Sequence, residues 1–99
     1  MKTTVINIKA EHFRRDSDVY IGRGSKWGNP FVIGHSGTRD DVCDKYEAYM
    51  SRRILENPQK YNISELRGKR LVCYCKPLRC HGDWLATLAN EEVMDDGRV

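Results

Sequence analysis

Leu71-Val-Cys-Tyr-Cys75 is a nearly continuous apolar run, entered through Lys69-Arg70 and left through Lys76-Pro-Leu-Arg-Cys-His-Gly-Asp83. A run without polar alternation reads as a strand covered on both faces, the central strand of a mostly parallel sheet. Beyond Pro77, the residues Trp84, Leu85, Leu88 and Ala89 recur at helical spacing, so strand hands over to helix inside this segment. That handover is the unit from which α/β domains are built.

Working outward, Val5-Ile-Asn-Ile8 and Asp18-Val-Tyr-Ile21 read as two short strands, separated by the polar stretch Lys9 to Ser17. From Gly22 to Gly37 the chain carries five glycines and Pro30, a composition that cannot sustain a regular element. Thr38 can cap a helix over about 39–56, with Asp40 and Asp41 in its first turn and Val42, Tyr46, Tyr49, Met50 and Ile54 along one face. Asn57-Pro58 ends it, and residues 59–67 predict a second short helix stopped by Gly68. The order implies one α/β domain over 1–90, with three strands, or four if Phe31-Val-Ile33 pairs, and an acidic tail over 91–99.

At 99 residues there is room for one domain with a modest core. Seventeen Lys and Arg against 14 Asp and Glu give a charge of +3, too little for sequence-independent nucleic-acid binding to be the favoured reading. A basic face built from Arg14, Arg15, Arg52, Arg53, Arg67, Lys69 and Arg70 is better read as solvated surface. The N-terminus has no apolar run long enough for a signal peptide or membrane span, so a cytoplasmic protein with no membrane partner is expected. Oligomeric state is left open.

In a reducing compartment the four cysteines point to metal ligation, reactive thiols or small core residues rather than disulfides. Three of them fall between Cys73 and Cys80. On a strand Cys73 and Cys75 face one side, and Cys80 and His81 stand at the start of the last helix, where free N–H groups favour negative charge. Three chemistries fit. Cys73, Cys75, Cys80 and His81 are a complete set for zinc, although adjacent Cys80 and His81 are unusual partners for one ion. Cys80 can be a thiolate, its pKa lowered by the helix terminus, with His81 as base or acid. Or the helix start can bind an anion, with Gly82 allowing close approach and Asp83 orienting a hydroxyl or base edge. The plainer alternative is that Cys73 and Cys75 fill the core and His81 caps the helix.

Gly22-Arg-Gly-Ser-Lys-Trp-Gly-Asn-Pro30 offers freed backbone N–H groups and two cations, Arg23 and Lys26, as a nest for phosphate or carboxylate. Asn29 would orient the ligand, and Trp27 either lines the site or plugs the core with Phe31. If the strands at 18–21 and 70–75 run parallel, this loop and the Cys75–Asp83 loop open on one sheet edge, with Thr38-Arg39 as a third wall.

Tyr20-Ile-Gly-Arg23, Lys26-Trp-Gly-Asn-Pro-Phe31, Gly37-Thr-Arg39, Leu66-Arg-Gly-Lys69 and Cys73-Tyr-Cys-Lys-Pro-Leu-Arg-Cys-His-Gly-Asp83 together resemble the bacterial and phage family called domain of unknown function 4326, over residues 19–90. The Cys-x-Cys then Cys-His arrangement is also similar to the family numbered 488. The resemblance implies a small α/β protein of Rossmann-like, three-layer form and supports treating both loops as one site. It carries no particular reaction. The expected function is binding of a nucleotide or related phosphorylated molecule, with Gly22, Arg23, Lys26, Trp27, Asn29, Arg39 and Gly82 around the ligand. Cys80, His81 and Asp83 would carry any chemistry. The alternative is a zinc-stabilised module that binds protein or nucleic acid.

Overall fold

A computed structural model of the chain describes residues 2–7, 9, 18–76 and 78–97, with backbone only for 92–97. The end of the first expected strand at Ile8, the stretch 10–17 with Arg14 and Arg15, Pro77, and the last two residues lie outside the described residues.

Three strands, β1 (Thr4–Asn7), β2 (Asp18–Tyr20) and β3 (Arg70–Cys73), form one parallel sheet in the order β1-β3-β2. The apolar run is central, and Leu71, Val72 and Cys73 are fully buried. The strand stops at Cys73, two residues before the run ends. Asn7, paired with Cys73 at the last rung, turns its Nδ2 onto the carbonyls of Tyr74 (3.3 Å) and Lys76 (2.6 Å). With those acceptors captured by a side chain, the ladder cannot continue. At the first rung, the other end of the strand, Arg70 grips its partner Asp18 through Nε–Oδ1 at 2.7 Å and Nη2–Oδ2 at 2.9 Å. The fourth strand does not form: Val32 O accepts the N–H groups of His35 and Ser36, so the chain turns at residues 33–35 directly after Phe31 and Val32.

Helix α1 spans Arg39–Glu56, the range read from its periodicity. Thr38 Oγ1 accepts from Asp41 N (3.2 Å) while Asp41 Oδ2 accepts from Thr38 N (3.0 Å), a reciprocal cap. In place of a second α-helix over 59–67 stands a single 3₁₀ helix, Ile63–Leu66, capped by Asn62 and followed by Gly68 in the left-handed region at φ +73. Helix α2 spans His81–Gly97 and takes in the acidic residues 91–97.

Val5, Leu71 and Val19 share one register row and face the helices. Helix α2 packs on β1 and β3, and α1 packs on α2, so among the described residues both helices lie on one side of the sheet. Tyr46 is the hub between them: its hydroxyl donates to Trp27 O (2.7 Å), and its ring meets His81 and Trp84 edge-on at 4.7 and 5.9 Å. Thr3 closes the far end, its backbone exchanging hydrogen bonds with the Asn90 amide (2.9 and 3.2 Å) as a further strand would. The architecture is thus a small α/β domain on a three-stranded parallel sheet, with two layers among the described residues rather than the three expected, because α1 packs on α2 and not on the opposite face. Among the described residues no helix is long and apolar enough to cross a membrane.

Candidate functional site at the carboxyl edge of the sheet

Because β2 and β3 are parallel, the chain leaves both at the same edge, where ligands bind in open α/β sheets. A cavity of about 270 Å³ opens there. Its walls are Gly22, Arg23, Asn29, Phe31, Val32 and Ile33 from the loop after β2, Arg39, Val42 and Cys43 from α1, and Cys73, Tyr74, Cys75, Arg79, Cys80 and His81 from the end of β3 and the start of α2. Of the residues singled out from the sequence, Gly22, Arg23, Asn29, Arg39, Cys73, Cys75, Cys80 and His81 converge on it. Lys26, Trp27, Gly82 and Asp83 do not line it.

The reasons for those exclusions are local. Lys26 pairs with Glu65 (2.5 Å) and donates to Lys60 O (2.8 Å), on the side of the 3₁₀ helix. Trp27 is buried, donates to Glu65 Oε1 (3.1 Å) and stacks edge-on with Tyr61, so it plugs the core. A Cβ on Gly82 would lie 2.5 Å from Ile21 Cδ1 and 3.2 Å from Val5 Cγ1. Its missing side chain lets α2 approach the sheet rather than a ligand approach the helix. Asp83 accepts from Cys80 N (3.1 Å) and pairs with Lys76 (2.5 Å), so it caps α2.

Cys80 occupies the N-cap of α2. Its sulfur accepts from Gly82 N (3.4 Å), in the manner of a capping serine, and the N–H of Asp83 goes to Cys80 O (3.0 Å). These bonds leave α2's first turn little to offer an anion. The neighbouring Cys73 and then burial push the Cys80 thiol up, opposite to the lowering expected from the helix terminus. The lowered thiol is Cys73, brought to about 6 by a hydrogen bond from Cys80, with help from the N–H groups of Lys76 and Cys75. A dipole matters less here than which sulfur receives the donors.

His81 is buried, with Nε2 2.8 Å from Ile21 O and Nδ1 3.7 Å from Cys80 Sγ. Desolvation holds its pKa down, so the ring is neutral. Among the described residues no three His, Cys, Asp or Glu side chains are grouped to hold a metal ion.

Asn29 donates to Val42 O (3.1 Å) and accepts from Phe31 N (2.9 Å), which ties the loop to α1. Arg39 donates one hydrogen bond to Arg79 O (3.2 Å), using one of its five donors. Arg23 is exposed and lines both the cavity and the groove beside it.

Two wall residues escaped the sequence reading. Cys43 brings a fourth thiol from α1, buried and 4.0 Å from Arg79 O. The spacing Cys43, Tyr46, Met50 is itself a helical stripe, a signal that could have placed it on the buried face. Arg79 binds Asp40 (3.1 Å), Asp44 (2.9 Å) and Glu47 (3.2 Å), clamping the loop after β3 onto α1. Acids at i, i+4 and i+7 of one helix face were the hint that a cation sits over them.

Two viral proteins are similar to this sequence. The chain is 39% identical over 88 residues to the "uncharacterized 12.4 kDa protein in nrdA-td intergenic region" of Enterobacteria phage T4, covering 88% of this chain and 81% of that protein. Over 71 residues it is 37% identical to "uncharacterized protein R718" of Acanthamoeba polyphaga mimivirus, covering 62% of this chain and 52% of that protein. No solved structure matches the chain significantly. The match to a family extends beyond the cavity walls to β1 and the first turns of α2: over residues 6–91, this chain belongs to the family described as Domain of unknown function (DUF4326).

Proposed function

We propose that the cavity binds a small phosphorylated molecule, a nucleotide or nucleotide derivative. The observation that carries this reading is the convergence of Gly22, Arg23, Asn29 and Arg39 with Cys75, Cys80 and His81 around one cavity at the carboxyl edge of a parallel sheet. The walls mix apolar side chains (Phe31, Val32, Ile33, Tyr74) with arginine, the pattern of sites that hold a flat or apolar body and fix one charged group. Arg23 and Arg39 are the phosphate ligands in this account, since guanidinium presents a fork matched to phosphate oxygens. The α2 terminus is not, because the N–H groups of Gly82 and Asp83 already have acceptors. A volume of about 270 Å³ suits a mononucleotide or a sugar phosphate better than a dinucleotide. A Rossmann-like relationship of the fold belongs to the same proposal and is supported by the parallel sheet and the position of the cavity.

Titration calorimetry against nucleoside mono-, di- and triphosphates and sugar phosphates tests it. The expected result is saturable binding of a monophosphate, weakened about tenfold or more in Arg23→Ala and in Arg39→Ala with little change in melting temperature. No heat with any of the panel, or binding indifferent to both variants, would overturn it.

A further inference from the structure

The cavity at the sheet edge continues outward past Arg23. A groove of about 370 Å³ shares Arg23 and Asn29 with it and extends over Pro30 and Lys60 to Tyr49 and Tyr61. From Tyr49 a second groove, of about 630 Å³, runs along α1 past Lys45, Arg52 and Arg53, and Phe31 borders both this groove and the cavity. Each groove is larger than the cavity, so one mononucleotide would leave most of the path unfilled. Among the described residues, Arg23, Lys26, Lys45, Arg52, Arg53 and Lys60 line the two grooves against a single acid, Glu56.

A net charge of only +3 conceals this because α1 sorts its charges. At about 100° per residue, Asp40, Asp44 and Glu47 fall on one flank of the buried stripe, where Arg79 binds all three. Lys45, Tyr49, Arg52 and Arg53 stand at i, i+4, i+7 and i+8 on the other flank. Among the described residues no carboxylate pairs with Lys45, Arg52, Arg53 or Lys60. These cations alternate with rings. The Arg53 guanidinium lies 4.9 Å from the centre of the Tyr49 ring, Lys60 lies 5.4 Å from that of Tyr61, and Lys45 lies 6.0 Å from that of Phe31. Phe31 and Tyr49 stand edge-on to each other at 5.9 Å, and both are half-buried, so each keeps part of its ring open to the groove. An acidic peptide would use the cations and leave the rings idle, and a duplex keeps its bases stacked away from them. Phosphates joined to unstacked bases use both.

We propose that the two grooves form one binding track for single-stranded nucleic acid, with backbone phosphates on Lys45, Arg52, Arg53 and Lys60 and bases stacked on Phe31 and Tyr49. Each phosphate contact is weak alone, but contacts along one strand add, since every phosphate neutralised releases counterions. The planar Arg53 guanidinium offers a further face on which a base can stack. A free mononucleotide makes one such contact and gains no hold on the track, so it goes to the cavity. The proposal goes beyond the mononucleotide reading of the cavity and stands without it. Arg23, shared by groove and cavity, is where the two meet.

Fluorescence anisotropy of a labelled oligothymidylate of about ten nucleotides, followed as sodium chloride is raised from about 20 to 200 mM, tests the track. The expected result is saturable binding that weakens steeply with salt. Arg52→Gln and Lys60→Gln, both at exposed side chains, should each flatten the slope of log affinity against log salt by about 0.7. Tyr49→Leu should weaken binding about tenfold at every salt concentration and leave the slope unchanged. Unlabelled duplex of the same length, and polyglutamate of matched charge, should each compete about tenfold less well than the unlabelled strand. No binding at low salt, or a slope that neither charge variant alters, overturns the proposal. Polyglutamate competing as well as the strand also overturns it, and assigns the surface to an acidic peptide. So does duplex competing as well, since the rings would then have no part. The competitions use the wild-type chain and decide the matter even where Tyr49→Leu fails to fold. Calorimetry that finds no nucleotide in the cavity leaves each of these outcomes as it stands.

Discussion

His81 Nε2 lies 2.8 Å from the carbonyl oxygen of Ile21, a residue 60 positions earlier, and this one hydrogen bond joins the exit of β2 to the start of α2. It sets the tautomer of the ring and the depth at which the helix begins. The same two segments meet again at Gly82 and Ile21, so the strand exit and helix start are fitted to one another.

Stability should fall as pH drops below neutrality. Burial depresses the pKa of His81, so below its ordinary value of 6.5 the unfolded chain binds a proton that the folded chain refuses. Cys73 acts in the same direction: its folded value is about 6 against an ordinary 9.0, so its contribution is complete above 9.0 and is lost as pH falls through 6. Cys80, raised in the folded state, reverses the trend above the ordinary thiol value, where the unfolded chain ionises and the folded chain does not. Urea midpoints measured from acid to alkaline pH should rise between about pH 5.5 and 8 and fall again beyond about 9. A flat profile below neutrality would mean that His81 and Cys73 are not held as described.

Gly82→Ala weighs two opposed effects. Alanine is favoured over glycine in a helix by up to about 1 kcal/mol, least in the first turn. Against this, the new methyl meets Ile21 Cδ1 at 2.5 Å and Val5 Cγ1 at 3.2 Å, and Ile21 is fully buried. Overpacking of this kind costs about 1–3 kcal/mol. A net loss of about 1–2 kcal/mol is expected, seen as a lower thermal midpoint. A gain in stability would show that the helix start is looser than the packing indicates.

Zinc gives a separate test of the Cys/His centre. With Nε2 of His81 committed to Ile21 and the Cys80 sulfur accepting from Gly82, the centre is held together by its own hydrogen bonds. Protein purified without chelator should keep its urea midpoint when chelator is added. Stoichiometric zinc by elemental analysis, with unfolding on chelation, would instead favour Cys73, Cys75, Cys80 and His81 as ligands of a structural ion.

Much of this fold is legible in the sequence because its signals are local. The apolar run at Leu71 marks the central strand, Thr38 with Asp41 marks the start of α1, and five glycines mark the long loop. What escaped depends on contacts between distant residues. β3 ends at Cys73 because Asn7, far earlier in the chain, takes the next carbonyls, and no pattern within 71–75 reveals that. Residues 59–67 form only a 3₁₀ helix, since Asn62 caps so late that a single turn fits before Gly68. At the site, the convergence of the two loops could be derived from strand direction. The roles of the thiols could not, because a helix terminus suggests Cys80 as the anion, whereas the neighbouring Cys73 and burial hold the Cys80 thiol up.

The most direct test of the central claim, that the cavity at the sheet edge is the ligand site, is a nitrogen-15 amide correlation spectrum recorded while a nucleoside monophosphate is titrated in. The account expects saturable shifts confined to Gly22, Arg23, Asn29, Arg39, Cys75 and Cys80 and their neighbours. An unchanged spectrum, or shifts gathered instead along the exposed α1 residues Arg52 and Arg53, would contradict it.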